Sequence, residues 1–229
     1  MTDLDPEASL HGRLRASILG LDLAPGQRLS ERGLEPELGA SRTPIRAALM
    51  RLESEGLVRR DGRGWLVAPI DLDEIAQIAE FRELVETGAV RLALPRARRE
   101  DLLALADLAD SADETGTPEH SLHTGTSFHL ELAHLAENAE LFAALQGILT
   151  RLFRTRWLEV QSTESRERVR REHSAIAAAL LAGDADAAER ALLEHLRGTH
   201  DRLALALGSR RREFAARGIP IDGAGLASR

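Results

Sequence analysis

Three histidines and a short run of arginines are the side chains with the most chemistry to offer. His129 shares a helical stripe with Leu122, Leu132, Ala133 and Ala136. His173 lies with Val169, Ile176, Ala177 and Leu180, and His195 with Ala188, Ala191, Leu192 and Thr199. A lone histidine on an apolar face is usually a core residue with a satisfied hydrogen bond. Three of them on three helices can instead converge on a divalent metal, because neutral imidazole suits zinc, nickel, iron or manganese. His11, His120, His123, His134 and His200 read mostly as surface groups. The arginines are Arg42, Arg46 and Arg51, which stand between Leu38 and Leu52 with no acid among them. Arginine at the start of a helix can contact guanine through two hydrogen bonds or hold a phosphate. The commonest fate of a surface arginine is a solvated helix face, and for Arg59 and Arg60 both readings stay open.

Composition narrows the function classes. The chain has 229 residues, with 30 basic and 37 acidic side chains and a net charge of −7. All the basic residues are arginine, which looks like the imprint of GC-rich codons and carries no functional weight by itself. Residues 1–70 hold 10 arginines and 10 acids; the remainder holds 20 and 27 and so carries the whole net charge. A small cationic patch on an acidic chain is the pattern to explain. The absence of cysteine excludes disulfides, thiolate metal sites and a thiol nucleophile. Two Trp, five Phe and no Tyr argue against a stacking platform for single-stranded nucleic acid. No apolar run approaches the roughly 20 residues that span a bilayer. The first residues, MTDLDPEAS, are acidic where a signal peptide would be basic and then apolar. A cytoplasmic protein without a membrane partner is therefore expected.

The elements that must position these groups divide the chain. Residues 1–70 read as helix, helix, helix, hairpin. Leu10, Leu14 and Ile18 recur at helical spacing before the Pro25-Gly26 turn, Ser30 can cap a second helix, and Gly39 closes it. Ser41 can cap a third helix whose apolar stripe is Ile45, Leu49 and Leu52. Residues 57–60 and 65–68 flank Asp61-Gly62-Arg63-Gly64, a hairpin signal. Gly62 and Gly64 would let this wing approach DNA closely. From Asp71 the periodicity is helical, with segments at about 71–94, 99–110, 120–136, 140–161, 165–181 and 185–206. Loops fall at Thr115-Gly116, Asn138, Ser162-Thr163 and Gly183-Asp184. Residues 208–229 carry three consecutive arginines, Pro220 and further glycines, and a flexible tail is expected. The fold class is mainly α: a winged helix-turn-helix over 1–70, then an all-helical bundle over 71–207.

The ordered strings in both parts resemble a known family. Pro25-Gly26-Gln27-Arg28-Leu29-Ser30-Glu31-Arg32, Leu38 to Leu49, Arg51-Leu52 and Glu55-Gly56-Leu57-Val58 closely resemble the winged helix of GntR-family transcription regulators. That resemblance implies DNA contacts from Arg32, Arg42 and Arg46, supported by Ser41, Thr43 and Gly64 at the wing tip. Pro36 departs from the family, which has an ordinary helix former there, and a kink in the second helix is expected. Ser127-Phe128-His129, Glu137-Asn138, Glu172-His173-Ser174-Ala175-Ile176, Gly183-Asp184-Ala185 and Glu194-His195-Leu196 resemble the FCD-type sensor domain of the FadR-like branch. The resemblance implies a metal on His129, His173 and His195, an aspartate one turn before the first, and a small carboxylate or water completing the set. Here that position is Gly125. Its loss could weaken the metal, or let an effector carboxylate supply the missing oxygen.

Together these readings predict a regulator, not an enzyme: a homodimer on a palindromic double-stranded DNA operator, released as a repressor by a small organic acid. Arg82 is a candidate effector contact, although an ion pair with Glu86 one turn on is at least as good a use for it. Arg154 and Arg156, near Trp157, are further candidates. Two alternatives stand beside this. One is a metal-free regulator taking a larger acyl ligand; the other is a three-histidine zinc hydrolase, for which no general base is evident.

Overall fold

The computed structural model describes residues 9–111, 117–156, 160–216 and 221–223, without the side chains of Arg210 and Glu213. The Thr115-Gly116 loop and Trp157 lie outside these residues, as do 217–220 and 224–229. Two compact units form: one from the chain up to Leu72 together with Leu207–Gly225, the other centred on Asp73–Ala206.

In the first unit, α1 (Leu10–Leu19), α2 (Glu31–Leu38) and α3 (Arg42–Ser54) surround a small sheet of β1 (Arg28–Leu29), β2 (Val58–Asp61) and β3 (Gly64–Val67). The sheet is antiparallel in the order β1-β3-β2. The Ile45, Leu49 and Leu52 stripe of α3 is fully buried against Leu14, Ile18 and Trp65. Ser30 caps α2 by accepting from the Gly33 N–H at 3.0 Å, and Gly39 ends it in the left-handed region at φ 64°. The helix runs through Pro36. Ser41 stands at the N-cap of α3 without a side-chain cap hydrogen bond.

The hairpin pairs Asp61 with Gly64, leaving Gly62-Arg63 as its two-residue tip, with Gly62 at φ 57°. β1 is an element that the sequence pattern did not announce. It gives Gly64 a packing reason to be glycine: a Cβ there would stand 3.0 Å from the Leu29 carbonyl oxygen.

The second unit contains α4 (Leu72–Ala93), α5 (Arg99–Asp110), α6 (Pro118–Leu135), α7 (Ala139–Arg156), α8 (Thr163–Leu181) and most of α9 (Ala185–Ala216). Helix α6 packs on α5, α7 and α8, and α5 packs on α8. Thr117 and Ser162 cap α6 and α8 through their hydroxyls. Glu137, at φ 47°, breaks the chain between α6 and α7, and Asn138 Oδ1 accepts from the Leu141 N–H.

The C-terminal stretch differs from the flexible tail expected. Helix α9 continues past Gly208 to Ala216, and β5 (Ile221–Asp222) pairs in parallel with β4 (Ile70–Asp71). Leu207 and Phe214 are buried, and burial of such side chains outweighs the roughly 1 kcal/mol that glycine costs a helix.

The close approach at Gly64 gives a direct check. Gly64→Ala should destabilise the protein by about 1–3 kcal/mol in chemical denaturation without DNA, because the neighbour is backbone and cannot swing away. An unchanged denaturation midpoint would show that the β1 contact does not constrain this position.

Candidate metal centre and nucleic-acid interface

Three helices of the second unit bring their histidines to one point. His129 from α6, His173 from α8 and His195 from α9 are all buried, at 0 %, 0 % and 2 % exposure. The Nε2 atoms of His173 and His195 lie 3.2 Å apart, and those of His195 and His129 3.3 Å apart. Phe128 stacks on His173 with ring centroids at 4.4 Å, which fixes that ring from one side.

Two carboxylates orient the other ring nitrogens. Glu86 on α4, fully buried, accepts from His129 Nδ1 at 2.6 Å, and Glu172 accepts from His195 Nδ1 at 2.7 Å. Each carboxylate is held by a guanidinium: Arg82 Nε donates to Glu86 at 2.5 Å, and Arg202 donates to Glu172 at 3.2 and 3.3 Å. A proton on Nδ1 leaves a lone pair on Nε2. The Nε2 atoms of His129 and His195 face each other across 3.3 Å, where one cation can meet both. Burial, reinforced by nearby positive charges including Arg82 and Arg156, holds the His129 and His173 imidazoles well below the usual histidine range. They are neutral at physiological pH, the state that a metal requires. Among the described residues this is the cluster of three or more potential ligands close enough to hold one ion. Carboxylate-anchored histidines are also how metal ligands are commonly fixed.

The remaining expectations sort by place. The Arg82–Glu86 ion pair, weighed as an alternative for Arg82, is present, and the Arg82 Nη2 is buried without a hydrogen-bond partner. Arg154 and Arg156 are both buried. His11 is half-buried and bonded to Glu55, His200 is half-buried, and His123 and His134 are exposed. Glu86 and Glu172 were missed as partners of the histidines. Glu172 precedes His173 in the sequence, but nothing local joins Glu86 to His129, 43 positions away.

In the first unit, Arg32, Ser41, Arg42, Thr43 and Arg46 are all exposed, on α2 and at the start of α3, and Gly64 closes the wing. Glu31 gathers two of these cations. It accepts from Arg46 Nε and Nη2 at 2.7 and 2.8 Å and lies 3.6 Å from Arg42 Nη2. The paired guanidinium holds the Glu31 carboxyl below the usual carboxylate range. On the wing, the Arg60 guanidinium lies 3.6 Å above the Trp65 ring, so its position is fixed by a cation–π contact.

Comparison with known proteins agrees with both units. Residues 7–67 match the bacterial regulatory proteins of the gntR family, and residues 77–198 match the FCD domain. The chain belongs to the GntR family and carries an FCD domain. The Nta operon transcriptional regulator of Aminobacter aminovorans is 34 % identical over 60 % of this chain and 67 % of its own. The transcriptional repressor RspR of Escherichia coli K12 is 26 % identical over 80 % and 82 %. Among solved structures, E. coli McbR/YncC superposes with a TM-score of 0.71 at 25 % identity, covering 85 % of this chain and 95 % of that one. These relatives are regulators, and the hydrolase reading is set aside. Among the described residues, no helix is long and apolar enough to cross a membrane.

Removing the charge from Glu86 tests how the centre is held. Glu86→Gln leaves Arg82 buried without its counter-charge and should lower unfolding free energy by about 3 kcal/mol. Equal stability of the two proteins would show that this ion pair is not a structural requirement.

Proposed function

We propose that the chain is a cytoplasmic, metabolite-responsive transcriptional repressor that reads a palindromic operator as a homodimer. A twofold protein matches a twofold site, and each half-site would receive one α3 in the major groove with the wing alongside. In this reading Arg42 and Arg46 make base and phosphate contacts, Arg32 adds a further contact, and Ser41, Thr43 and Gly64 let the backbone sit close. His129, His173 and His195 hold a divalent ion, zinc, nickel or manganese, and a small organic acid binds beside them within reach of Arg82. The convergence of three buried Nε2 atoms, two of them with Nδ1 anchored on carboxylates, is the observation that carries this reading. The bound ion would supply positive charge for an acid's oxygen. The chain's own side chains orient the imidazoles and exclude water. Effector binding then acts by its differential affinity for the DNA-competent arrangement of the two heads. The name of RspR as a repressor supports the sign proposed.

Selection of DNA targets from a random pool should return an inverted repeat. Arg42→Ala and Arg46→Ala should each abolish specific binding to it while the helical circular dichroism is unchanged, and loss of one phosphate contact should lower the salt slope by about one unit. A small organic acid, with divalent metal present, should release the wild-type complex. Undiminished gel-shift affinity in both variants would overturn the DNA contacts, and the absence of any release by acids would overturn the sensor reading.

A further inference from the structure

Glu31 is an acid set among the arginines offered to DNA. It opens α2 directly after the Ser30 cap, where the helix N-terminus favours a negative charge. Its side chain is 9 % exposed, while those of its partners Arg42 and Arg46 are 61 % and 55 % exposed. The Arg46 guanidinium holds its carboxyl below the usual carboxylate range, so Glu31 is charged at neutral pH. A negative charge beside two cations weakens their attraction to the phosphates of any duplex, whatever its sequence. Residues 1–70 carry as many acids as arginines, so net charge does not restore that attraction.

The geometry of the pair shows how the acid acts. A guanidinium fork has two edges that can each grip two acceptors, Nε with Nη2 and Nη1 with Nη2. The two Glu31 oxygens occupy the first edge of Arg46, at 2.7 and 2.8 Å. The terminal edge is the one left for DNA, and it suits paired acceptors such as guanine O6 and N7. A phosphate that drew the whole guanidinium away would strand a buried carboxylate without its counter-charge, which is costly. Arg42 Nη2 lies 3.6 Å from the same carboxylate, so its charge is partly cancelled as well.

We infer that Glu31 is a specificity-determining residue of the winged helix: by gripping one edge of Arg46 and cancelling charge beside Arg42, it suppresses binding to non-specific duplex while sparing the operator. This rests on the proposal that Arg42 and Arg46 contact DNA. Glu31 acts through these arginines, as a positioning residue.

Fluorescence-anisotropy titration of the full-length protein with a random-sequence duplex and with the selected inverted repeat, across a range of salt, tests it. Glu31→Gln keeps the shape of the side chain and removes its charge. Near 0.1 M salt it should bind the random duplex about five- to tenfold more tightly, with a salt slope steeper by about one unit per chain. It should gain nothing on the inverted repeat, so discrimination narrows by the same factor. Arg46→Gln should lose operator affinity yet leave the random-duplex affinity and slope as in wild type. In the Glu31→Gln background, Arg46→Gln should cancel the tightening. A folded Glu31→Gln protein that binds the random duplex no more tightly overturns the inference, as does an equal gain on both duplexes or a tightening that survives Arg46→Gln. If helical circular dichroism shows that Glu31→Gln does not fold, the Arg46→Gln single variant decides, and a lowered random-duplex slope overturns the inference. Unchanged operator affinity in Arg46→Gln overturns the reading of Arg46 as a DNA contact, and this inference with it.

Discussion

A carboxylate with no exposure to solvent, held between a guanidinium and an imidazole, is the interaction on which the helical unit turns. Glu86 cannot be solvated, so Arg82 and His129 must supply what water would. That requirement fixes α4 against α6 and decides which nitrogen of His129 carries the proton. Glu172, a quarter exposed, likewise draws α8 and α9 together through His195 and Arg202. With both Nδ1 protons committed outward, the Nε2 atoms face inward, and His173 joins them with its ring stacked on Phe128. The convergence of the three imidazoles is thus tied to where the two carboxylates stand.

The DNA-binding unit uses charge in a contrasting way. Arg42 and Arg46 are more than half exposed, and their partner Glu31 is an acid that nearly disappears from solvent. Both guanidinium groups stay open to solvent, while the acid that gathers them does not. Its effect in the absence of DNA is positional: one carboxylate gathers two long side chains at the start of α3. The wing is built on the same economy of elements, with β1 bracing Gly64 and Arg60 laid over Trp65.

Much of this was legible in the sequence because it is periodic. The Ile45, Leu49 and Leu52 stripe, the Ser30 and Gly39 caps and the inward faces of His129, His173 and His195 follow from helical spacing, and each appears in the structure. What escaped is non-local or outweighs local preference. β1 is two residues long and β4–β5 joins positions 151 apart in the chain, so neither has a period to read. Gly208 looked like a helix end, yet α9 continues because Leu207 and Phe214 are buried on either side of it. The Glu86 partner of His129 is invisible to any local pattern. The Arg156 guanidinium beside Gly125 comes from α7, packed on α6, and no local pattern joins them.

The centre itself offers the most direct measurement. Elemental analysis of the untagged protein, purified without chelator, should find about one equivalent of a divalent transition metal per chain, reduced to background in His173→Ala. A metal-free wild-type protein that takes up no zinc, nickel or manganese on titration, yet still binds its operator and is released by its effector, would contradict the account.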